Sequence, residues 1–276
     1  MENQSDTVRI GDREVHRLGF GAMRLTGDDI IGEPDDPGAA RRVLRRAVEV
    51  GVDFVDTADS YGPGVSERLV GETIGDDVLV ATKGGLLRNP EGEWLRHGDP
   101  DYLTNAVLCS LDRLRTDCID LYQFHRPDPE VPFEASVTRL AELKDDGYIE
   151  HVGLSNVAVE QLDAARDIVE VATVQNRYNV ADREHEDVLA ACEEAGIGFI
   201  PWFPLGGAGE FDDPALREVA DAREATVYQV ALAWLLEHSP VTIPVPGTSS
   251  VAHLEENVAA AGVELDEAEM AALADL

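Results

Sequence analysis

Short β-rich runs alternate with helix-patterned stretches along this chain, and no other feature of the sequence limits its folding more. The runs are 17–21 (RLGFG), 52–58 (VDFVDTA), 78–83 (VLVATK), 119–125 (IDLYQFH), 151–156 (HVGLSN), 172–179 (ATVQNRYN), 197–205 (IGFIPWFPL) and 241–247 (VTIPVPG). They are apolar on both faces, as parallel strands covered by helices should be. Between them, 39–50, 101–114, 133–145, 157–169, 184–195, 227–237 and 251–261 carry a helical period, which in 101–114 runs through Leu103, Val107, Leu111 and Leu114. Gly51 and Gly147 stand as stop signals, and Asn156 as an N-cap for the helix that follows it. Eight strands followed by helices predict an α/β fold, a (β/α)8 TIM barrel with 1–276 as a single domain, since such barrels take roughly 250 residues. Upstream, TVRIGDREV reads as a β-hairpin around Gly11-Asp12 that plugs the barrel's lower end. The rival is a doubly wound dinucleotide-binding sheet. Its GxGxxG fingerprint is met only by the stretch from Gly19 to Arg24, which lacks the third glycine.

Composition decides what kind of barrel. Of 276 residues 44% are hydrophobic, enough for a core that needs no disulfides. Cys109, Cys118 and Cys192 form no CxxC pair, which argues against a disulfide scaffold and a structural zinc site. No apolar run approaches the ~18 residues of a membrane span. The polar, acidic start MENQSDTVRIGDRE does not read as a signal peptide, so a cytoplasmic protein is expected. Lys+Arg is 22 against 55 Asp+Glu, a net charge of −33. Such a surface repels nucleic acid and anionic membranes. Lys83 and Lys144 are the two lysines; every other basic residue is arginine. Acid excess with scarce lysine points to a halophilic source, where salt screens self-repulsion. Arg41, Arg42, Arg45 and Arg46 read as surface residues of the first helix.

In such a barrel the chemistry sits at the C-terminal ends of strands. Those ends hold Asp56-Thr-Ala-Asp59-Ser-Tyr61-Gly62, Thr82-Lys83-Gly84, His125-Arg126, Ser155-Asn156, Gln175-Asn176 and the segment from Trp202 to Leu205. Asp, Tyr, Lys and His thus converge on one rim. A tyrosine is a poor acid at neutral pH, a neighbouring ammonium lowers its pKa, an aspartate keeps that ammonium charged, and a histidine orients a carbonyl oxygen. Taken singly, each has a plainer reading: Asp56 as a helix cap, Tyr61 as a loop aromatic, His125 as a satisfied rim histidine. Lys83 is harder to dismiss, because arginine is this chain's default cation. Arg126 stays open between a contact with a substrate phosphate or carboxylate and a structural ion pair.

These residues carry a resemblance. DTADSYG at 56–62, TK at 82–83, His125, GLSN at 153–156, QN at 175–176, PLG at 204–206 and PGTSSVAHLEEN at 246–257 make the chain similar to the aldo-keto reductase family over nearly its full length. Within that family it looks most like a branch that includes pyridoxal reductases. The resemblance implies an NAD(P)H-dependent oxidoreductase that reduces aldehydes or ketones by hydride transfer. Tyr61 would be the general acid, Lys83 would lower its pKa with Asp56 as partner, and His125 would hold the substrate carbonyl. Ser155, Asn156 and Gln175 would hold the nicotinamide carboxamide, and Trp202 would stack on the ring. Pro204, Leu205 and Gly206 would belong to the cofactor segment, with Gly21, Met23 and Arg24 touching ribose or phosphates. Glu256 and Asn257 match the pair that contacts adenine.

The family's cations for a 2′-phosphate are replaced here by Gly247 and His253. Thr248, Ser249 and Ser250 remain as hydroxyl donors at a helix start. A 2′-phosphate near so few cations is costly, but the resemblance to that branch implies NADPH as the cofactor, with NADH left open. The expected partner is a small carbonyl substrate, with no metal, for a protein working as a monomer. The stretch Gly206-Gly207-Ala208-Gly209 reads as a mobile small-residue loop that leaves the pocket open. The competing function is a non-turnover, cofactor-sensing regulatory subunit of the same fold. A barrel metallohydrolase would want an HxH pair on the first strand, and none is present.

Overall fold

The computed structural model describes residues 7–206, 211–274 and 276. The strands are β1 (Thr7–Ile10), β2 (Arg13–His16), β3 (Phe20–Gly21), β4 (Phe54–Asp56), β5 (Leu79–Gly84), β6 (Leu86–Arg88), β7 (Trp94–Arg96), β8 (Ile119–Phe124), β9 (Ile149–Ser155), β10 (Val171–Gln175) and β11 (Gly198–Phe199). The helices are α1 (Pro37–Glu49), α2 (Val65–Thr73), α3 (Pro100–Leu114), α4 (Phe133–Asp145), α5 (Val159–Arg166), α6 (Glu186–Ala195), α7 (Pro214–Ala222), α8 (Val227–His238), α9 (Val251–Ala259) and α10 (Glu267–Ala272).

Seven strands pair in parallel in the order β11-β10-β9-β8-β5-β4-β3. Each neighbour is the next barrel strand in the chain, with no return to the middle of the sheet, which excludes the doubly wound alternative. The eighth barrel position is the extended segment 241–247. Phe199 N donates to Val241 O and Ile243 N to Phe199 O, while Gly19 N donates to Pro244 O and Gly21 N to Pro246 O. Proline has no N–H to return, so this segment closes the ring without forming a regular ladder. The barrel is therefore complete, as the alternating pattern predicts.

β1 and β2 form the expected hairpin, with Ile10 opposite Arg13 across Gly11-Asp12 and Gly11 at φ +60°. Its Ile10 and Val15 are buried against Phe54, Leu79, Ala81, Leu121, Ile200 and Ile243, which plugs the lower barrel. His151 on β9 and Asp12 in the turn lie 3.0 Å apart and tie the plug in place. A second apolar layer lies between strands and helices, with Val55, Tyr122, Phe124 and Leu154 facing Leu44, Leu69, Val107 and Leu140.

Helix ends follow local chemistry. Asp36, Asp99, Asp213, Thr226, Ser250 and Asp266 each accept an N-terminal N–H with the side chain. Gly51 and Gly147, just past α1 and α4, have φ of +96° and +83°. One expected cap is corrected: α5 starts at Val159 with Ala158 in the cap position, not at Asn156. Asn156 sits at φ +58°, and its side chain is engaged elsewhere. Among the described residues no helix is long and apolar enough to cross a membrane.

Candidate active site

Period-two alternation builds the site. On β4, Phe54 and Asp56 face inward; on β5, Leu79, Ala81 and Lys83 do; β8 continues the pattern with Leu121, Gln123 and His125. The lower inward layers are apolar. The layer nearest the strands' C-terminal ends is polar: Asp56, Lys83, Gln123, Ser155 and Gln175 are 0–4% exposed. Gly153 makes room for it, because a Cβ there would meet Thr173 Oγ1 at 2.5 Å and Gln123 Cγ at 2.8 Å.

Lys83 is the centre of that layer. Its Nζ donates to Asp56 Oδ2 at 2.6 Å, to Thr57 O at 2.8 Å and to Tyr61 Oη at 3.4 Å. An ammonium only donates, so the phenol oxygen is the acceptor and its own proton is left for another partner. Asp56 Oδ1 accepts from Gln123 Nε2 at 3.0 Å and Gln175 Nε2 at 2.9 Å. Burial pulls the Lys83 pKa down, but Asp56 and Tyr61 more than offset this and hold it above the ordinary value. Burial raises the Tyr61 pKa and the Lys83 charge opposes the rise; the net direction is upward. Lys83 acts in the expected direction, lowering the Tyr61 pKa by its charge and its hydrogen bond, but desolvation outweighs it. The phenol is held as a protonated acid with a cation waiting behind it.

His125 leaves β8 beside Tyr61, the two rings edge to face at 6.0 Å. Burial, Lys83 and Arg126 push its pKa well below the ordinary value, so the imidazole is neutral. Ser60 Oγ lies 3.5 Å from Nδ1, which leaves Nε2 to face the cleft. Asn156 is a four-way junction. Its Oδ1 accepts from Arg126 Nη2 at 3.0 Å and Trp202 Nε1 at 3.2 Å, and its Nδ2 donates to His125 O at 3.0 Å and Ser155 Oγ at 2.9 Å. That fills the hydrogen-bonding capacity of a carboxamide.

Above this floor opens a cleft of about 410 Å³. It gathers most of the expected residues: Asp56, Tyr61 and His125 at the base, and Ser155, Asn156 and Gln175 on one side. Trp202, Pro204, Leu205 and Gly206 follow, with Gly21, Met23, Arg24 and Gly247 opposite. Lys83 lies behind Tyr61. Thr248, Ser249, His253, Glu256 and Asn257 do not line the cleft; they belong to the loop and helix beyond it. Ser250 N donates to Thr248 Oγ1, Ser250 Oγ caps α9 at His253 N, and Thr226 Oγ1 donates to Glu256 Oε1. Of the expected small-residue loop, Gly207, Ala208 and Gly209 lie outside the described residues.

Three participants, Gln123, Leu86 and Trp94, escape a reading of strand ends, and Asp59, which stands at one of them, takes no role in it. Gln123 points into the barrel two residues before His125, and its position on the apolar run IDLYQFH was the available signal. Leu86 and Trp94, from the β6–β7 hairpin, wall the cleft opposite the Trp202 side, with Trp94 edge-on to Tyr61 at 6.4 Å. Asp59 is buried beneath the Tyr61 loop. Its Oδ2 accepts from Tyr102 Oη at 3.3 Å and its Oδ1 has no partner among the described residues. Burial and the nearby Glu67 charge raise its pKa to about 8.

Comparison with known proteins agrees with this geometry. A model described as the aldo/keto reductase family matches residues 17–276. An oxidoreductase of Schizosaccharomyces pombe, itself uncharacterized, is 47% identical over 266 residues, covering 95% of this chain and 87% of that one. Pyridoxine 4-dehydrogenase of Escherichia coli is 42% identical over 273 residues, 95% of each chain. An aldo-keto reductase of Klebsiella pneumoniae, solved in complex with NADPH, superposes with a TM-score of 0.83 at 29% identity, over 97% of this chain and 93% of the other.

Proposed function

This chain belongs to the aldo/keto reductase family, and from that premise we propose how its cleft works. The protein is an NADPH-dependent oxidoreductase that reduces aldehydes or ketones to alcohols; a regulatory role without turnover is not favoured. The single observation that carries the residue assignment is the buried chain Asp56–Lys83–Tyr61 at the base of the cleft, with neutral His125 beside it.

The cleft suits a dinucleotide. Gly21 and Gly247 bring two backbones together on one wall, where a Cβ would meet Val245 O at 2.6 Å and Gly21 O at 2.8 Å respectively. The indole of Trp202 gives a flat apolar face. Gln175 spends its amide nitrogen on Asp56, which leaves its carbonyl, with the Ser155 hydroxyl, for a nicotinamide carboxamide. Asn156 joins them only by giving up a protein partner, so its first role is to brace His125, Ser155 and Trp202. The bound cofactor supplies the hydride. His125 Nε2 donates to the substrate carbonyl oxygen, and Tyr61 passes its proton to that oxygen as it gains charge. The phenolate left behind is met by Lys83 Nζ, whose own charge Asp56 balances.

The relatives make pyridoxal the first aldehyde to assay. Three free cysteines suit a reducing cytoplasm, and a monomer accords with a cleft built wholly from one chain. The charge of −33 is read as adaptation to a salt-rich interior. The test is NADPH oxidation with a panel of aldehydes in molar KCl. Steady turnover is expected; cofactor binding without turnover of any aldehyde would overturn the assignment.

A further inference from the structure

The cleft holds a cation that the chemistry above does not use. Arg126 follows His125 and lines the cleft with Leu86 and Trp94. Many arginines elsewhere in this acidic chain pair with carboxylates, as Arg41 does with Glu72 and Arg223 with Glu269, and others such as Arg88 and Arg183 spend their donors on several backbone carbonyls. Among the described residues no carboxylate lies within ion-pair distance of Arg126; its one side-chain bond is Nη2 to Asn156 Oδ1. The charged neighbour that acts on it is Arg96, of the same sign. The Arg96 charge also reaches Asp128, which accepts from the backbone N–H groups of Gly98 and Glu130.

We propose that the substrate carries an anionic group, a carboxylate or a phosphate, beside its carbonyl-bearing body, and that Arg126 is the residue that selects it. This rests on the carbonyl-reductase reading and narrows it. A guanidinium has five N–H donors in a planar fork, and one of them serves Asn156, so a bidentate face remains for an anion. Bracing Asn156 needs only a neutral donor; the positive charge is surplus to that task. A part-buried cation beside a like charge is costly until a ligand brings the counter-charge. The wall of Leu86 and Trp94 next to it is apolar and aromatic, which fits a substrate whose anion and carbonyl are joined by an apolar or aromatic spacer.

The test compares kcat/KM for two matched pairs at one fixed ionic strength: benzaldehyde with 4-carboxybenzaldehyde, and pyridoxal with pyridoxal 5′-phosphate. The wild-type enzyme is expected to favour the charged member of at least one pair by roughly tenfold or more, the scale of a charge-assisted contact. The pair that shows the preference separates carboxylate from phosphate. Arg126→Gln, which retains a donor for Asn156, should bring that ratio to about one, and Arg126→Lys should keep part of it. Wild-type ratios near one in both pairs, or a preference that survives in Arg126→Gln, would overturn the proposal. Failure to turn over any of the four aldehydes would instead overturn the carbonyl-reductase reading on which it stands.

Discussion

Gln123, on β8 two residues before His125, donates its side-chain amide to Asp56 Oδ1 over 3.0 Å. The carboxylate that balances Lys83 is thus itself held from the barrel interior. Replacing Gln123 by Leu removes a buried charge-assisted bond, so a loss of about 1.5–3 kcal/mol in stability is expected. Asp56 then turns more freely, and kcat should fall severalfold. Denaturant melts and steady-state assays check the two effects, and an unchanged melt with unchanged kcat would show that the bond contributes nothing.

Tyr61→Phe keeps the ring and its edge contacts with His125 and Trp94 but removes the proton. Turnover should drop by ~10²-fold or more, with NADPH affinity unaltered. Rapid-mixing assays alongside fluorescence titration of the cofactor separate chemistry from binding. Retained turnover would remove Tyr61 from the role of acid.

Asp59 gives the fold a pH signature. Its folded pKa of about 8 lies above the ordinary 3.8, so the folded state holds a proton that the unfolded chain releases. Stability should therefore fall as pH rises from ~4 to ~8 and level off above, because the native state binds the extra proton across that window. Asp59→Asn should flatten this part of the profile. Thermal melts of both proteins across the window decide it; parallel profiles would place the proton elsewhere.

Ionic strength should act on the whole molecule. Lowering the salt from ~1 M to ~0.1 M lengthens the screening distance from ~3 Å to ~10 Å. With 55 acidic against 22 basic side chains, repulsion then outweighs surface pairs such as Arg42–Asp36. The melting temperature should drop on dilution of KCl. A constant value would refute adaptation to salt.

His253 is exposed in the first turn of α9, next to Thr248, Ser249 and Ser250. His253→Arg places a fork-shaped cation where a 2′-phosphate is expected, so NADPH should bind roughly tenfold tighter while NADH is unaffected. Equilibrium titration of both cofactors at one salt concentration tests this. Equal effects on the two would show that the side chain does not face the 2′ position.

The barrel and the quartet Asp56, Tyr61, Lys83 and His125 were legible because each strand is a continuous apolar run that ends in a reactive side chain. What stayed hidden has local causes. α2 turns Ser66 and Glu67 inward beside Val65, Leu69 and Val70, with Thr82 and Arg113 bonding Glu67, so polar residues interrupt its apolar face. The β6–β7 hairpin ends in Trp94-Leu95-Arg96, all exposed, around an Asn89-Pro90-Glu91-Gly92 turn that carried a signal not taken up. α7 was readable too: Asp213-Pro214 caps it, and Leu216, Val219 and Ala220 follow at helical spacing. The four-way engagement of Asn156 was out of reach, since its partners are its own neighbour Ser155, His125 and Arg126 after β8, and Trp202 after β11.

The seam between Gly19–Gly21 and the prolines at 244 and 246 has a consequence for motion. Gly21 and Arg24 meet Pro246 and Gly247 there, on one wall of the cleft. A molecule lying against that wall touches the first and last staves of the ring. Closing the hoop and filling the cleft are then one equilibrium, in which each event makes the other more favourable. Amide exchange at this seam should slow when the cleft is occupied, while the opposite arc of β8 and β9, stitched by a full ladder, keeps its own pace.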